Sequence, residues 1–305
     1  MSRKDGTDSG GASAADSSAP ALRALDTPAL PDWVLFHVPH DSTFIPPSER
    51  SKLLLNDEGL KSELLRMTDH WTFDLFTQGV PEERVLRSPV SRLVVDVERF
   101  EEDSLEIMAS RGMGAVYERT SDGQQLRPRL AVAERQELID TWYVTHHRRL
   151  TEVVQRSLDS HSQALLIDAH SFPSQTLPCN WDQQPDRPDI CIGTDEFHTP
   201  AQLVDALVNA FVTTGWTVKV NSPFAGALVP NHHYKKKCNL AAVMIEVNRA
   251  LYIDETTGKR LQSFSSVART LREVVLSAIP HLNLGREGGL ATWKNKAVSN
   301  SDIWF

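Results

Sequence analysis

Short apolar runs alternate along this chain with longer amphipathic ones. The short runs fall at 33–38, 92–97, 164–168, 190–192, 216–220 and 242–247, and several are apolar at nearly every position. That pattern predicts strands covered on both faces, because a strand with one wet face shows a polar residue at every second position. The longer runs, at 57–77, 131–157, 200–213 and 261–279, predict helices. In the second, Leu138, Trp142, Val153 and Val154 belong to one apolar stripe, and Pro200 stands at the first position of the third. Strands alternating with helices predict an α/β fold, with a mixed, mostly parallel sheet flanked by helices. Segment 98–125, with Gly112, Gly114 and Gly123, interrupts the alternation and reads as an extended insertion or loop.

The ends of the chain differ from this body. Residues 1–28 are mostly Ser, Ala, Gly and Asp. They carry too little apolar surface to offset the entropy of ordering, which predicts a disordered tail. Residues 285–305 form a second polar tail, in which Trp293, Ile303, Trp304 and Phe305 offer apolar groups that could dock on the body. The body, 29–284, is the predicted functional domain, and a chain of 305 residues that is 40% hydrophobic has ample material for its core.

Charge narrows the partners. The net charge is −8, and the longest basic run, Lys235-Lys236-Lys237, is short enough to be a solvated loop. No nucleic-acid partner is expected. An acidic small-molecule substrate stays open, since a cleft can be locally positive on a negative protein. No apolar stretch reaches the ~20 residues that cross a bilayer, and no apolar segment follows Arg3 and Lys4 as a secretory signal requires. Cys179, Cys191 and Cys238 form no CxxC pair. Together these features predict a cytoplasmic protein with reduced thiols and no membrane partner.

The chemistry lies where the apolar runs end. Run 33–38 leads into Pro39-His40-Asp41-Ser42, and run 92–97 passes through Asp96 into Glu98-Arg99. Run 164–168 continues as Asp168-Ala169-His170-Ser171, and run 242–247 as Glu246-Val247-Asn248-Arg249. Ligands of open α/β sheets bind outside the carboxyl ends of the strands. Charged groups placed there are costly to bury, which marks them as a candidate site. Asp168 and His170, two apart, share a strand face, so the carboxylate can orient the ring as metal-bound histidines require. One histidine in such a place is more often a structural residue. Two of them, with Glu246 at a third strand, favour a site.

There is no HExxH motif and no zinc-finger spacing, so metal ligands would come from dispersed segments. No GxSxG elbow, P-loop or GxGxxG is present. Ser171 beside His170 makes a poor nucleophile–base pair, because adjacent strand residues point to opposite faces.

Seven stretches occur in a telling order. They are Val38-Pro39-His40-Asp41-Ser42, Thr68-Asp69-His70-Trp71-Thr72, Ser91-Arg92-Leu93-Val94-Val95-Asp96 and Ile167-Asp168-Ala169-His170-Ser171, then Ile190-Cys191-Ile192-Gly193-Thr194, Asn221-Ser222-Pro223-Phe224-Ala225-Gly226 and Ile245-Glu246-Val247-Asn248-Arg249-Ala250-Leu251-Tyr252. With them the chain resembles the N-formylglutamate amidohydrolase family over roughly residues 33 to 280. The resemblance implies a phosphorylase/hydrolase-like fold similar to zinc carboxypeptidases. It implies hydrolysis of the amide of N-formyl-L-glutamate, or a similar small acidic N-acyl amino acid, to formate and glutamate by water activated on one zinc ion.

Carried over position by position, it makes His40 and His170 metal ligands, with Asp69 as the carboxylate ligand and Asp41 as its competitor. Glu246 takes the role of general base, and Arg92, Asn221, Arg249 and Tyr252 face the substrate. His147 matches a His-x-x-Leu position of the family; on its own it reads as a hydrogen-bonded helix histidine.

The chain departs from the family pattern twice. Asp41-Ser42-Thr43 stands where a glycine usually follows the first histidine, and Glu98-Arg99 stands where Asn-Arg is usual. The second departure sets a carboxylate near an acidic substrate. It keeps two rivals open: a zinc amidase or peptidase for another N-acyl amino acid or short peptide, and a metal- or ligand-binding homologue without catalysis.

Overall fold

The alternating runs fold into a six-stranded sheet made of β1 (Val34–Val38), β2 (Val85–Arg87), β3 (Ala164–Phe172), β4 (Ile190–Gly193), β5 (Val218–Val220) and β6 (Leu240–Asn248). The computed structural model describes residues 29–282 and Leu284. Both expected tails, with Trp293, Ile303, Trp304 and Phe305, lie outside the described residues. The strand order is β2-β1-β3-β6-β4-β5. Strands β2, β1, β3 and β6 run parallel, whereas β4 pairs antiparallel with β6 and parallel with β5. The helices are α1 (Pro47–Arg50), α2 (Asp57–Met67), α3 (Thr72–Phe76), α4 (Val132–Leu138), α5 (Thr145–His161), α6 (Ala201–Thr213) and α7 (Phe264–Ala278). The sheet is mixed and mostly parallel, as the alternation predicts.

Strand periodicity sorts the sheet into two unlike faces. Val34, Phe36, Leu165, Ile167, Val243 and Ile245 share one apolar core with Leu203, Leu207 and Phe211 of α6 and Val267, Leu271 and Val274 of α7. Burying each large aliphatic group contributes about 1.5–3 kcal/mol, so this face anchors the fold. The opposite face begins in the same way. Leu35, Leu166, Ala242 and Met244 pack against Leu150, Val154 and Leu158 of α5. Further along, the same rows turn polar: His37 follows Leu35, Asp168 and His170 follow Leu166, and Glu246 follows Met244. Register aligns them across the strands, with His37 opposite Asp168 and His170 opposite Glu246.

Several boundaries differ from the sequence reading. Run 92–97 is not a strand. Its Leu93, Val94 and Val95 are buried against the 98–125 segment and α4 instead, among Met113, Tyr117 and Leu126 on one side and Ala115, Val116 and Leu138 on the other. The sheet edge belongs to β2, a three-residue strand too short and too exposed to show as an apolar run. Segment 98–125 is irregular, as expected of an insertion, but it is packed against the body: it holds a 3₁₀ turn at Ile107–Arg111 that ends at Gly112 with φ 74°. A Cβ at Gly112 would meet Arg119 Cγ at 2.8 Å, so glycine is required there twice over.

The predicted helix 57–77 is two helices. Asp69 N–H donates to the His40 carbonyl at 3.0 Å, and Trp71 turns left-handed at φ 66°, pulling Thr68–Trp71 out of the helix. The predicted helix 131–157 runs as α4 and α5 joined by a π-helical stretch, Ile139–Val144. Pro200 caps α6 in an extended conformation instead of opening it, and α7 begins at Phe264, three residues beyond its predicted start. Strands β3 and β6 reach Phe172 and Asn248, so Asp168, His170 and Glu246 lie within strands.

Candidate metal centre

His40, Asp69 and His170 converge from three elements: the loop after β1, the break between α2 and α3, and β3 itself. All three are buried. Asp69 Oδ2 lies 3.2 Å from His170 Nδ1 and 3.8 Å from His40 Nδ1. The helix break is what delivers Asp69, since its backbone N–H is the group bonded to His40. Asp41 points elsewhere: its two oxygens take the Trp71 N–H and the Arg87 guanidinium, each at 2.8 Å.

Each histidine has its second nitrogen beside another carboxylate. His40 Nε2–H donates to Asp96 Oδ1 at 2.8 Å, and His170 Nε2 lies 3.1 Å from Asp168 Oδ1. Asp96 is held in turn by Arg92 at 2.8 Å and by the Tyr117 hydroxyl. Burial disfavours its charge, but Arg92, His40 and Arg99 outweigh that and hold it well below the usual carboxylate range. Two imidazoles and a carboxylate, with carboxylates behind the rings, form a donor set that suits a zinc-like divalent ion. The fit is supported by His40 Nδ1, which is buried, faces Asp69 and has no hydrogen-bond partner.

Without an ion the cluster balances its own charge. Burial opposes ionisation of Asp69, but His170, His40 and Arg249 hold its carboxyl well below the ordinary value. Burial likewise opposes protonation of His170, but Asp168 and Asp69 raise it well above the ordinary histidine value.

Glu246 stands beside His170 on the neighbouring strand and opposite Cys191 of β4. Its Oε2 is buried without a hydrogen-bond partner. Burial pushes its pKa up to about 7, aided by Asp69 and opposed by His170, Arg249 and Arg92. A carboxylate tuned to that value exchanges protons readily near neutrality.

Of the expected substrate-facing residues, the two arginines border the cluster. Arg249 Nη2 is 3.0 Å from Asp69 Oδ1, and Arg92 Nη1 is 4.0 Å from the same atom. Asn221 is exposed, with its side-chain amide bonded to Thr194 at 2.7 and 2.9 Å. Tyr252 is fully buried and donates its hydroxyl to the His70 carbonyl at 2.9 Å. His147 Nε2 meets the Val97 carbonyl at 2.9 Å, a hydrogen-bonded helix histidine.

The cluster also has neighbours that strand-end placement does not mark. His37 is fully buried on β1, with Nδ1 2.9 Å from Asp168 and 3.1 Å from Glu98, and Nε2 2.7 Å from His146 of α5. Its signal was present, as the one polar residue inside the apolar run 33–38. Arg187 stacks over Phe224 and keeps Nη1 buried without a hydrogen-bond partner. No periodicity could have revealed it, because it lies in an irregular loop.

Sheet and cluster together define an α/β protein with a buried His/Asp cluster and a neighbouring glutamate on one face, toward the carboxyl ends of its parallel strands. The N-formylglutamate amidohydrolase family matches residues 33–253, and the chain belongs to that family. A relative from Pseudomonas aeruginosa described as an N-formylglutamate deformylase is 26% identical over 230 residues, which is 73% of this chain and 82% of that protein. Two solved structures share the fold. An N-formylglutamate amidohydrolase from Ralstonia eutropha superposes with a TM-score of 0.69 at 21% identity, covering 81% of this chain and 93% of that one. A gene product of Agrobacterium tumefaciens superposes with a TM-score of 0.62 at 21% identity, covering 81% and 90%. Among the described residues no helix is long and apolar enough to cross a membrane.

Proposed function

We propose that this protein hydrolyses the amide of N-formyl-L-glutamate, or of a closely similar N-acyl amino acid, releasing formate and the free amino acid. His40, Asp69 and His170 are read as holding one zinc ion, and Glu246 as the general base. The observation that carries this reading is the pairing of Glu246 with His170 across β6 and β3, with a buried, unpartnered carboxylate oxygen. The family resemblance to zinc carboxypeptidases agrees with a site on the parallel part of a mixed sheet. A divalent ion in such a site acidifies water and polarises an amide carbonyl.

The residues of the chain supply the remainder. Glu246, with a pKa of about 7, accepts a proton from the attacking water and returns it to the departing amine. The buried network of Asp96, Arg92 and Tyr117 fixes the His40 ring, so the site is organised before substrate arrives. Arg92 and Arg249 lend positive field beside Asp69 and help offset the charge that develops on the amide oxygen. Arg187, within electrostatic reach of Glu246, keeps Nη1 without a partner while its Nε and Nη2 are held by Thr176, Asn180 and Asp182, so it offers one fixed donor to a substrate carboxylate.

Formate release from N-formyl-L-glutamate by the zinc-loaded protein, lost on chelation and restored by added metal, is the expected result. An inert zinc-loaded protein would overturn the assignment. One observation favours the second reading, another N-acyl amino acid: Glu98 Oε2 stands 3.9 Å from His170 and adds negative charge where an acidic substrate would bind. A panel of N-formyl and N-acetyl amino acids with acidic, neutral and basic side chains separates the two by kcat/KM.

A further inference from the structure

The face that carries the first cluster carries another beside it. His37, Glu98 and Asp168 bring one imidazole nitrogen and two carboxylates together. His37 Nδ1 lies 2.9 Å from Asp168 Oδ1 and 3.1 Å from Glu98 Oε1. Ligand atoms about 2.0–2.2 Å from a common ion stand apart by roughly these distances. His37 is fully buried and Asp168 is too.

The outer contacts are those of a prepared site. His37 Nε2 meets His146 Nε2 at 2.7 Å, which aims Nδ1 at the carboxylates, and the other oxygen of Asp168 accepts the Leu228 N–H at 3.2 Å. One acceptor facing the gap stays unmatched: Glu98 Oε1 is buried without a hydrogen-bond partner. The His170 ring closes the side toward the first site, with Nδ1 turned to Asp69 and Nε2 3.1 Å from Asp168. A structural ion pair explains this less well. One N–H of His37 cannot serve two carboxylates with good geometry, and the Glu98 oxygen is the one left over.

We infer that the chain binds a second divalent cation at His37 Nδ1, Glu98 and Asp168, next to the first site with the His170 ring between them. One imidazole with two carboxylates suits Zn²⁺ or Mn²⁺ better than Ca²⁺ or Mg²⁺, which prefer oxygen alone. The ion would also offset the negative charge that Glu98 brings toward an acidic substrate. The inference goes beyond the one-ion reading and rests on it only for the identity of the neighbouring site.

The test is the metal stoichiometry of the full chain after stripping by chelator. Zn²⁺ is titrated calorimetrically and Co²⁺ by its visible absorption, with thermal melts to establish that each variant is folded. Two ions per chain in the wild type, falling to one in Glu98→Gln or His37→Gln, are expected. One ion in the wild type overturns the second site, and two ions retained in both variants overturn its ligands. His40→Ala addresses the first site separately: an unchanged stoichiometry there removes His40 from the proposed zinc site and leaves the Glu98 result standing.

Discussion

His198 and His40 are almost equally buried, yet the chain surrounds them in opposite ways. His198 lies between β4 and α6 with both ring nitrogens engaged by backbone: Nδ1–H donates to the Leu240 carbonyl at 2.9 Å, and Nε2 accepts the Lys235 N–H at 2.9 Å. Those contacts fix a neutral tautomer and tie the 230–237 loop to β6. His40 has a carboxylate on one nitrogen and no hydrogen-bond partner on the other. A buried histidine satisfied on both sides completes the fold. His40, open on the side that faces Asp69, is the one placed to receive the proposed ion.

Glu246 gives the largest expected effect on the open side of this comparison. Replacing a general base costs about 10²–10⁴-fold in rate. Glu246→Gln should therefore lose activity on that scale in formate release while retaining its metal by elemental analysis. Near wild-type turnover would show that the unpartnered carboxylate oxygen is not the base, and the contrast with satisfied groups would lose its functional meaning.

The two histidines can then be exchanged for alanine in parallel. His198→Ala leaves the Lys235 N–H and the Leu240 carbonyl without their partner, at a cost of roughly 1–3 kcal/mol for the buried carbonyl, and it should leave metal binding intact. His40→Ala should do the reverse and lose the ion of the first site. Denaturant melts and metal titrations on both variants check this. Parallel losses in both measurements would erase the distinction.

How far each environment was legible in the sequence follows the same division. The sheet could be read because β1, β3 and β6 are apolar on both faces, and because polar residues appear only as those strands approach their carboxyl ends. His40, His170 and Glu246 were visible for that reason. Periodicity misled at 92–97, where Leu93, Val94 and Val95 are buried by an irregular layer and not by a sheet; burial alone leaves the same mark as a short strand. It also joined α2 to α3, since the Thr68–Trp71 break depends on a backbone bond to His40, a contact 29 positions away in sequence. The place of Asp69 in the cluster was reached only by family resemblance. His198 gave no signal, because both of its partners are backbone groups, which any sequence possesses.

Between those extremes stand residues that act on His40 through others. Tyr117 reaches the ring by way of Asp96. Loss of such an outer contact lowers metal affinity by about 10–100-fold. Tyr117→Phe removes one hydroxyl and keeps the Arg92–Asp96 pair, so the low end, about tenfold, is expected. Competition against a chelator of known affinity measures it. An unchanged affinity would place Tyr117 with His198, as a group that serves packing alone.

The smallest effect concerns the closed environment and is read by pH. Burial lowers the pKa of His198 below its ordinary value, while the unfolded chain titrates near 6.5. The unfolded state thus binds more protons as pH falls past about 6.5, and stability drains with a slope of at most about 1.4 kcal/mol per pH unit until the folded pKa is passed. Above that range the contribution is fully present. His198→Gln keeps a donor and an acceptor but does not titrate, so its stability should fall less steeply than the wild type between pH 7 and 5. His37 and His170, whose pKa values are raised, act in the opposite sense in both proteins and cancel in the comparison. Equal slopes for the two proteins would mean that His198 gains a proton in the folded state as easily as in the unfolded one, which two backbone bonds and near-complete burial argue against.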